Sequence, residues 1–101
     1  MKATLDIRPD HLAVIRDLLR HHLPAGVRAL VFGSRAHGGA RLYSDLDLAL
    51  DAGRPLGLDR LAELRDAFSE SDLPYGVDVV DLALVDPGFR ARIEADAVPL
   101  A

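Results

Sequence analysis

Residues 31–50 read VFGSRAHGGARLYSDLDLAL and carry two different signals. The first is a turn at Gly33 and Ser34, directly after an apolar run. The second is an alternating segment in which Asp45 and Asp47 lie two residues apart among leucines. Because successive side chains of a strand leave opposite faces, both aspartates share one face, with Cα atoms about 6.5–7 Å apart. We therefore predict a strand that is apolar on one face and acidic on the other.

The composition is that of one globular domain. The chain has 101 residues, of which 50% are hydrophobic, and folds below roughly 40 residues are the ones that need disulfides or metals for stability. We expect a single domain over residues 1–101. The sequence has no cysteine, no secretory h-region near its start and no apolar run of membrane-spanning length. These features favour a cytoplasmic protein.

The charge balance limits the kind of partner. The formal net charge is -4, so the chain has no global basic field and direct nucleic-acid binding is not expected. Any phosphate group has to be bound locally, by a metal ion, backbone amides or single arginines. Self-association into a homo-oligomer stays open.

Hydrophobic periodicity predicts a chain of alternating helices and strands. An N-cap followed by proline, Asp86-Pro87, marks the start of the last helix. This order favours an α/β (α+β) fold with a small mixed β-sheet covered by helices. The predicted helices are Pro9–Leu23, Leu56 or Leu58 to Phe68, and Pro87 to about Ala95, and the predicted strands are Val27–Phe32, Asp45–Leu50 and Val77–Asp81.

The two aspartates on one strand face predict a metal site. Unpaired carboxylates at this spacing repel each other unless a cation neutralises them. Oxygen ligands without cysteine favour Mg²⁺, or Mn²⁺, over zinc. Two such ions about 3.5–4 Å apart can hold the attacking and leaving oxygens of a nucleotidyl transfer. Taken alone, an Asp-x-Asp pair is also typical of a half-exposed strand with a solvated acidic face.

The turn after the first strand suits a phosphate group. Gly33 permits a tight turn and close approach of a ligand, and Ser34 offers hydroxyl and amide donors. Arg35 follows, where its guanidinium can assist a triphosphate or lie on the surface. The segment is not a P-loop, because it lacks the Gly-Lys-Ser/Thr ending. His37 is a candidate general base, although the sequence shows no partner to orient it.

These residues together resemble a known family. Gly33-Ser34, ten intervening residues and Asp45-Leu46-Asp47 match the Gly-Ser-x10-Asp-x-Asp signature of the minimal nucleotidyltransferases, which belong to the DNA polymerase β-like superfamily. The similarity extends along nearly the whole chain, through Arg35 and the segments SDLDLAL and VDVVDL. It implies a palm-like fold, a Gly-Ser turn that holds the triphosphate, and metal binding by the two aspartates with a third carboxylate.

The resemblance also implies a function. Many members of the family are similar to antitoxins encoded beside a HEPN-domain ribonuclease toxin, and they transfer AMP from ATP to a toxin tyrosine. The chain is therefore expected to be a protein adenylyltransferase and the antitoxin of a type VII-like pair. Two alternatives remain: a non-catalytic antitoxin that blocks its toxin stoichiometrically, and a nucleotidyltransferase that acts on a small-molecule hydroxyl. The short chain disfavours the latter, because it offers no obvious second domain for a substrate pocket.

The third carboxylate has two candidates. Within the strand Val77–Asp81, Asp78 and Asp81 lie on opposite faces, so a regular strand cannot direct both to the metals. If Val77 and Val79 belong to the core, Asp78 is the ligand. On this basis we predict Asp78, and we expect Asp81 to turn outward or to cap the following turn.

Overall fold

A computed structural model describes residues 5–36, 40–41 and 43–100 of the chain. It confirms the predicted α/β architecture and mixed sheet, and it adds a two-residue strand too short for periodicity to reveal. None of the helices in these ranges is long and apolar enough to cross a bilayer. The elements are helices α1 (Pro9–His22), α2 (Leu58–Ser69) and α3 (Pro87–Asp96), strands β1 (Arg28–Phe32), β2 (Leu46–Asp51), β3 (Val77–Asp81) and β4 (Val98–Pro99), and a 3₁₀ turn at Gly33–Ala36.

The sheet has the strand order β3-β2-β1-β4. Strand β1 runs antiparallel to both β2 and β4, whereas β2 and β3 are parallel. The parallel pair is joined by a crossover that contains α2, as parallel strands require. In this register Asp47 lies between Phe32 of β1 and Asp78 of β3. The sheet thus brings together two carboxylates that are far apart in the sequence.

Helices α1 and α2 cover one face of the sheet. Leu46, Leu48 and Leu50 of β2 have no exposed surface and form one core cluster with residues of both helices, such as Ile15 and Leu64. Burial of a leucine side chain contributes about 1.5–3 kcal/mol to folding. The leucines on the predicted apolar face of β2 are therefore buried in the core and fix the position of the strand.

Helix α3 covers part of the other face. Leu30, Ala49 and Ile93 form a second cluster there. Asp45 and Asp78 are exposed, so α3 does not cover the end of the face at which they lie. One half of this face is therefore packed, and the other half is open and acidic.

The start of α3 confirms the predicted helix cap. The Asp86 carboxylate accepts a hydrogen bond from the Phe89 amide at 3.0 Å, and Pro87 is the first helical residue. Such a cap stabilises a helix by about 1 kcal/mol. The predicted start of α1 at Pro9 is confirmed as well.

Candidate active site

Three carboxylates lie at the open end of the α3 face. Asp47 pairs in register with Asp78 on the parallel strand β3, so their side chains leave the same face of the sheet. Asp45 precedes Asp47 by two residues, just before β2 begins. Asp47 is half-buried, whereas Asp45 and Asp78 are exposed. The structure therefore places the three aspartates predicted from the sequence at one end of one face of the sheet.

The environment of Asp47 disfavours its charge. Partial burial raises the pKa of Asp47, and the negative charges of Asp78 and Asp45 raise it further. Both effects disfavour the ionised carboxylate, because it is poorly hydrated and faces like charges. A cation or a hydrogen-bond donor placed among the three groups would relieve this repulsion.

The Gly33 turn adjoins the carboxylates. Gly33 has a φ of +75°, and a Cβ atom added to it would overlap the carboxylate oxygen Oδ2 of Asp47. Only glycine combines this left-handed backbone with such a close approach. Ser34, the next residue, is exposed. The predicted phosphate-binding turn and the predicted metal-binding aspartates are thus immediate neighbours.

We expect Gly33→Ala to destabilise the fold by about 2–4 kcal/mol, because it adds an atomic overlap to the cost of a left-handed non-glycine residue. Urea denaturation measures this change. Gly53→Ala is the matched control, since Gly53 has the same φ of +75° but no atom within 4 Å of an added Cβ. If the two variants lose equal stability, the contact between Gly33 and Asp47 has no energetic importance.

The oxygen-rich donor set fits Mg²⁺ or Mn²⁺. Proteins usually hold Mg²⁺ through one or two carboxylates together with substrate phosphates, instead of enclosing it in a protein cage. In the described part of the chain, no three His, Cys, Asp or Glu side chains form a ready-made metal cluster. A pair of aspartates that shares its ion with phosphate oxygens matches this arrangement.

Arg35 is buried, and its guanidinium makes contacts inside the protein. It is 5% exposed, and its guanidinium donates hydrogen bonds to the carbonyl oxygens of Asp6, Arg41 and Ser44. The guanidinium carbon also lies 3.9 Å from the centre of the Tyr75 ring. The expected contact with a triphosphate stays a prediction. His37, the candidate base, lies outside the described residues.

Asp81 pairs in register with Leu50, and its side chain therefore lies on the face of the sheet opposite to Asp47. It is 3% exposed, and its carboxylate accepts hydrogen bonds from the amides of Leu56 at 2.8 Å and Ala83 at 3.0 Å. Of the two alternatives predicted for Asp81, turning outward is not the one adopted, because the carboxylate is buried and accepts from both amides. The alternative, that it caps the following turn, is confirmed by the Ala83 contact.

Sequence reasoning missed the part played by the turn before β3. In this turn Gly76 lies against Asp45: a Cβ atom added to Gly76 would be 3.1 Å from Oδ1 of Asp45. The Tyr75 ring lies under Arg35. Neither contact has a local sequence signal, because both join segments that are about 30 residues apart or more.

Residues 14–101 match the family described as polymerase beta, nucleotidyltransferase. The chain belongs to this nucleotidyltransferase family. The resemblance inferred from Gly33-Ser34 and from Asp45 and Asp47 is therefore confirmed, and so is the fold class that it implied. The functions of the individual site residues stay predictions.

Individual relatives of this nucleotidyltransferase are informative. A curated protein of Haemophilus influenzae, named probable protein adenylyltransferase MntA, is 43% identical over 91 residues, which span 90% of this chain and 79% of the relative. A solved toxin-antitoxin structure with AMP-PNP superimposes with a TM-score of 0.76 at 28% identity, over 89% of this chain and 72% of that chain. The structure of a tri-AMPylated Shewanella oneidensis HEPN toxin in complex with MNT antitoxin superimposes with a TM-score of 0.68 at 27% identity. The match covers 89% of this chain and 68% of that chain.

Proposed function

We propose that this nucleotidyltransferase transfers AMP from ATP to a protein hydroxyl, a tyrosine of a cognate HEPN toxin, and thereby acts as the antitoxin of the pair. The observation that carries the proposal is the in-register pair of Asp47 and Asp78, next to Asp45 and in contact with the Gly33 turn. The relatives support it, since one is named a probable protein adenylyltransferase and another is an antitoxin in complex with an AMPylated toxin.

Each group in the site has a distinct task in this proposal. Asp45, Asp47 and Asp78 hold Mg²⁺, or Mn²⁺, and the Gly33-Ser34 turn receives the triphosphate of ATP. The bound ion supplies positive charge that neutralises the phosphate oxygens. Because ATP and Mg²⁺ are cytoplasmic reactants, we place the reaction in the cytoplasm.

The chemical step needs few protein groups. The acceptor oxygen attacks the α-phosphorus, the bond from that phosphorus to the bridging oxygen of the β-phosphate breaks, and pyrophosphate leaves while the hydroxyl proton is released. The protein contributes by holding the phosphates in line with the acceptor and by surrounding them with fixed charges. The rigid pairing of β2 with β3 suits this work, because it fixes the spacing between Asp47 and Asp78.

A double variant, Asp45→Asn/Asp47→Asn, tests the proposal. With ATP and Mg²⁺, the unsubstituted protein should add AMP to the copurified partner, which mass spectrometry detects as a gain in mass. The double variant should still bind the partner, because its surface is otherwise unchanged, but it should transfer nothing. In cells, the unsubstituted protein should protect at a substoichiometric dose and the variant should fail.

Two results would contradict the proposal. Equal protection by the double variant would indicate inhibition by stoichiometric binding. Transfer of AMP only to a small-molecule hydroxyl, with the partner left unmodified, would indicate a different acceptor class. The exposed Arg92→Gln variant on α3 serves as a control for general effects of substitution.

A further inference from the structure

Arg35 is a buried charge whose donors are used inside the protein. Its Nε donates to the Ser44 carbonyl at 2.9 Å, Nη1 to the Asp6 carbonyl at 2.8 Å and Nη2 to the Arg41 carbonyl at 3.3 Å. A buried guanidinium is costly unless its donors are paired. The three carbonyls are therefore held where the planar, fork-shaped group places them.

One of these carbonyls belongs to the residue directly before Asp45. The Ser44 amide donates to the Arg41 carbonyl at 3.1 Å, and the Ser44 hydroxyl accepts from the Arg41 amide at 2.9 Å. These bonds close the turn that leads into β2. Because Arg35 binds carbonyls at both ends of this turn, it fixes the backbone from which the Asp45 side chain departs.

A second route from Arg35 to Asp45 runs through the turn before β3. The guanidinium stacks on Tyr75, and Gly76 follows immediately. The Gly76 carbonyl accepts a hydrogen bond from the Leu46 amide at 2.9 Å, and its Cα faces the Asp45 carboxylate so closely that an added Cβ would be 3.1 Å from Oδ1. Displacement of the Tyr75 ring would therefore move the backbone that borders Asp45.

We propose that Arg35 is a positioning residue, which fixes the Asp45 carboxylate for metal binding through Ser44 and through Tyr75-Gly76, and is not a ligand of the triphosphate. The inference rests on the proposed function for one point only, the metal-binding role of Asp45. It assigns Arg35, which follows the phosphate-binding turn in sequence, to the organisation of the neighbouring metal site.

The experiment compares metal and nucleotide binding in the absence of any partner. Mn²⁺ affinity is measured by electron paramagnetic resonance with AMP-PNP present, and AMP-PNP affinity is measured separately in EDTA. Arg35→Gln should weaken Mn²⁺ binding about 10-fold or more, which is the usual effect of losing a residue that orients a metal ligand. Its AMP-PNP affinity in EDTA should stay within about 2-fold of the unsubstituted protein, because no phosphate contact is lost.

A pair of tyrosine variants tests the second route with a smaller change. Tyr75→Leu removes the ring under the guanidinium and should weaken Mn²⁺ binding in the same direction as Arg35→Gln. Tyr75→Phe keeps the ring, losing only the contact of its hydroxyl with His11 Nδ1 at 3.3 Å, and should bind Mn²⁺ normally. The effects of Arg35→Gln and Tyr75→Leu should be less than additive in the double variant, since both act through one unit.

Clear outcomes would overturn the inference. A tenfold loss of AMP-PNP affinity in EDTA on Arg35→Gln substitution would show a direct phosphate contact. Unchanged Mn²⁺ affinity in both Arg35→Gln and Tyr75→Leu would show that the contacts only stabilise the fold. If the unsubstituted protein does not bind Mn²⁺, the proposed metal site fails, and the positioning role of Arg35 fails with it. If it binds Mn²⁺ as expected but modifies no partner, only the proposed function fails.

Discussion

Asp47→Asn should reduce AMP transfer by about 10³-fold or more and, at the same time, make the metal-free protein more stable at neutral pH. The loss of transfer follows from the central position of Asp47, between Asp78 on the neighbouring strand and the Gly33 backbone. The gain in stability follows because the substitution removes a half-buried charge that faces two like charges. At this position, AMP transfer would then require the aspartate, whereas the stability of the metal-free protein would favour asparagine.

The pH dependence of this gain has a definite sign. Burial and the charges of Asp78 and Asp45 raise the pKa of Asp47 above its ordinary value of 3.8. Well below that value the group is protonated in both the folded and the unfolded protein, so it has no effect on stability. Above the raised pKa, the folded state holds an unfavourable carboxylate and is destabilised. The advantage of Asp47→Asn should therefore be present at neutral pH and vanish at roughly pH 3.

Urea denaturation without divalent cations, at neutral and at acid pH, measures the effect. Asp72→Asn is the matched control, because Asp72 is an exposed aspartate in the turn after α2 and is not one of the charges that raise the pKa of Asp47. An Asp47→Asn variant that transfers AMP as well as the unsubstituted protein would refute the metal-binding role. A variant that is less stable than the unsubstituted protein at neutral pH would refute the repulsion.

Asp78→Asn and Asp81→Asn should have opposite consequences, although the two residues are three positions apart. Asp78→Asn should lose transfer by about 10²-fold or more and keep the fold, because the exposed Asp78 lies beside Asp47. Asp81→Asn should keep transfer and lose about 1–3 kcal/mol of stability. The reason is that its two carboxylate oxygens accept from Leu56 and Ala83, whereas an asparagine has one acceptor oxygen for two amides.

Transfer and the free energy of unfolding should be measured on both variants at a temperature where each is fully folded. The comparison is internally controlled, because each variant serves as the control for the other. Loss of transfer in Asp81→Asn combined with full activity in Asp78→Asn would mean that the wrong face of β3 has been assigned to the metal site.

Local patterns were sufficient to predict most of the architecture. Alternation in β2 and β3 predicted which side chains share a face, because the pleat of a strand fixes this without reference to the rest of the chain. Alternation does not determine register, which depends on packing between distant segments. The pairing of Asp47 with Asp78 therefore had to come from the structure, and so did strand β4, since a run of two residues has no period.

The parts of the site that were missed are also long-range. Arg35 was predicted to assist a triphosphate because it follows the Gly33-Ser34 turn in the sequence. Its contacts in the structure depend instead on where the folded chain places Asp6 and Tyr75. Asp81 was expected either to turn outward or to cap the following turn, and the structure shows the cap. The bond from the Ala83 amide is local, but the bond from the Leu56 amide joins residues 25 positions apart and depends on the folded chain.

Helix α3 packs over Leu30 and Ala49, and in the described part of the chain Asp45 and Asp78 stay exposed beside it, so α3 forms one wall of the cleft in which the proposed reaction would occur. If the acceptor molecule supplies the other wall, docking itself raises the effective concentration of the acceptor hydroxyl, by the same principle that strengthens linked binding modules. Water and free amino acids cannot dock in this way and would gain no such advantage. Selectivity would then be encoded in a broad docking surface, which can change during evolution while the carboxylates and the turn beside them stay the same.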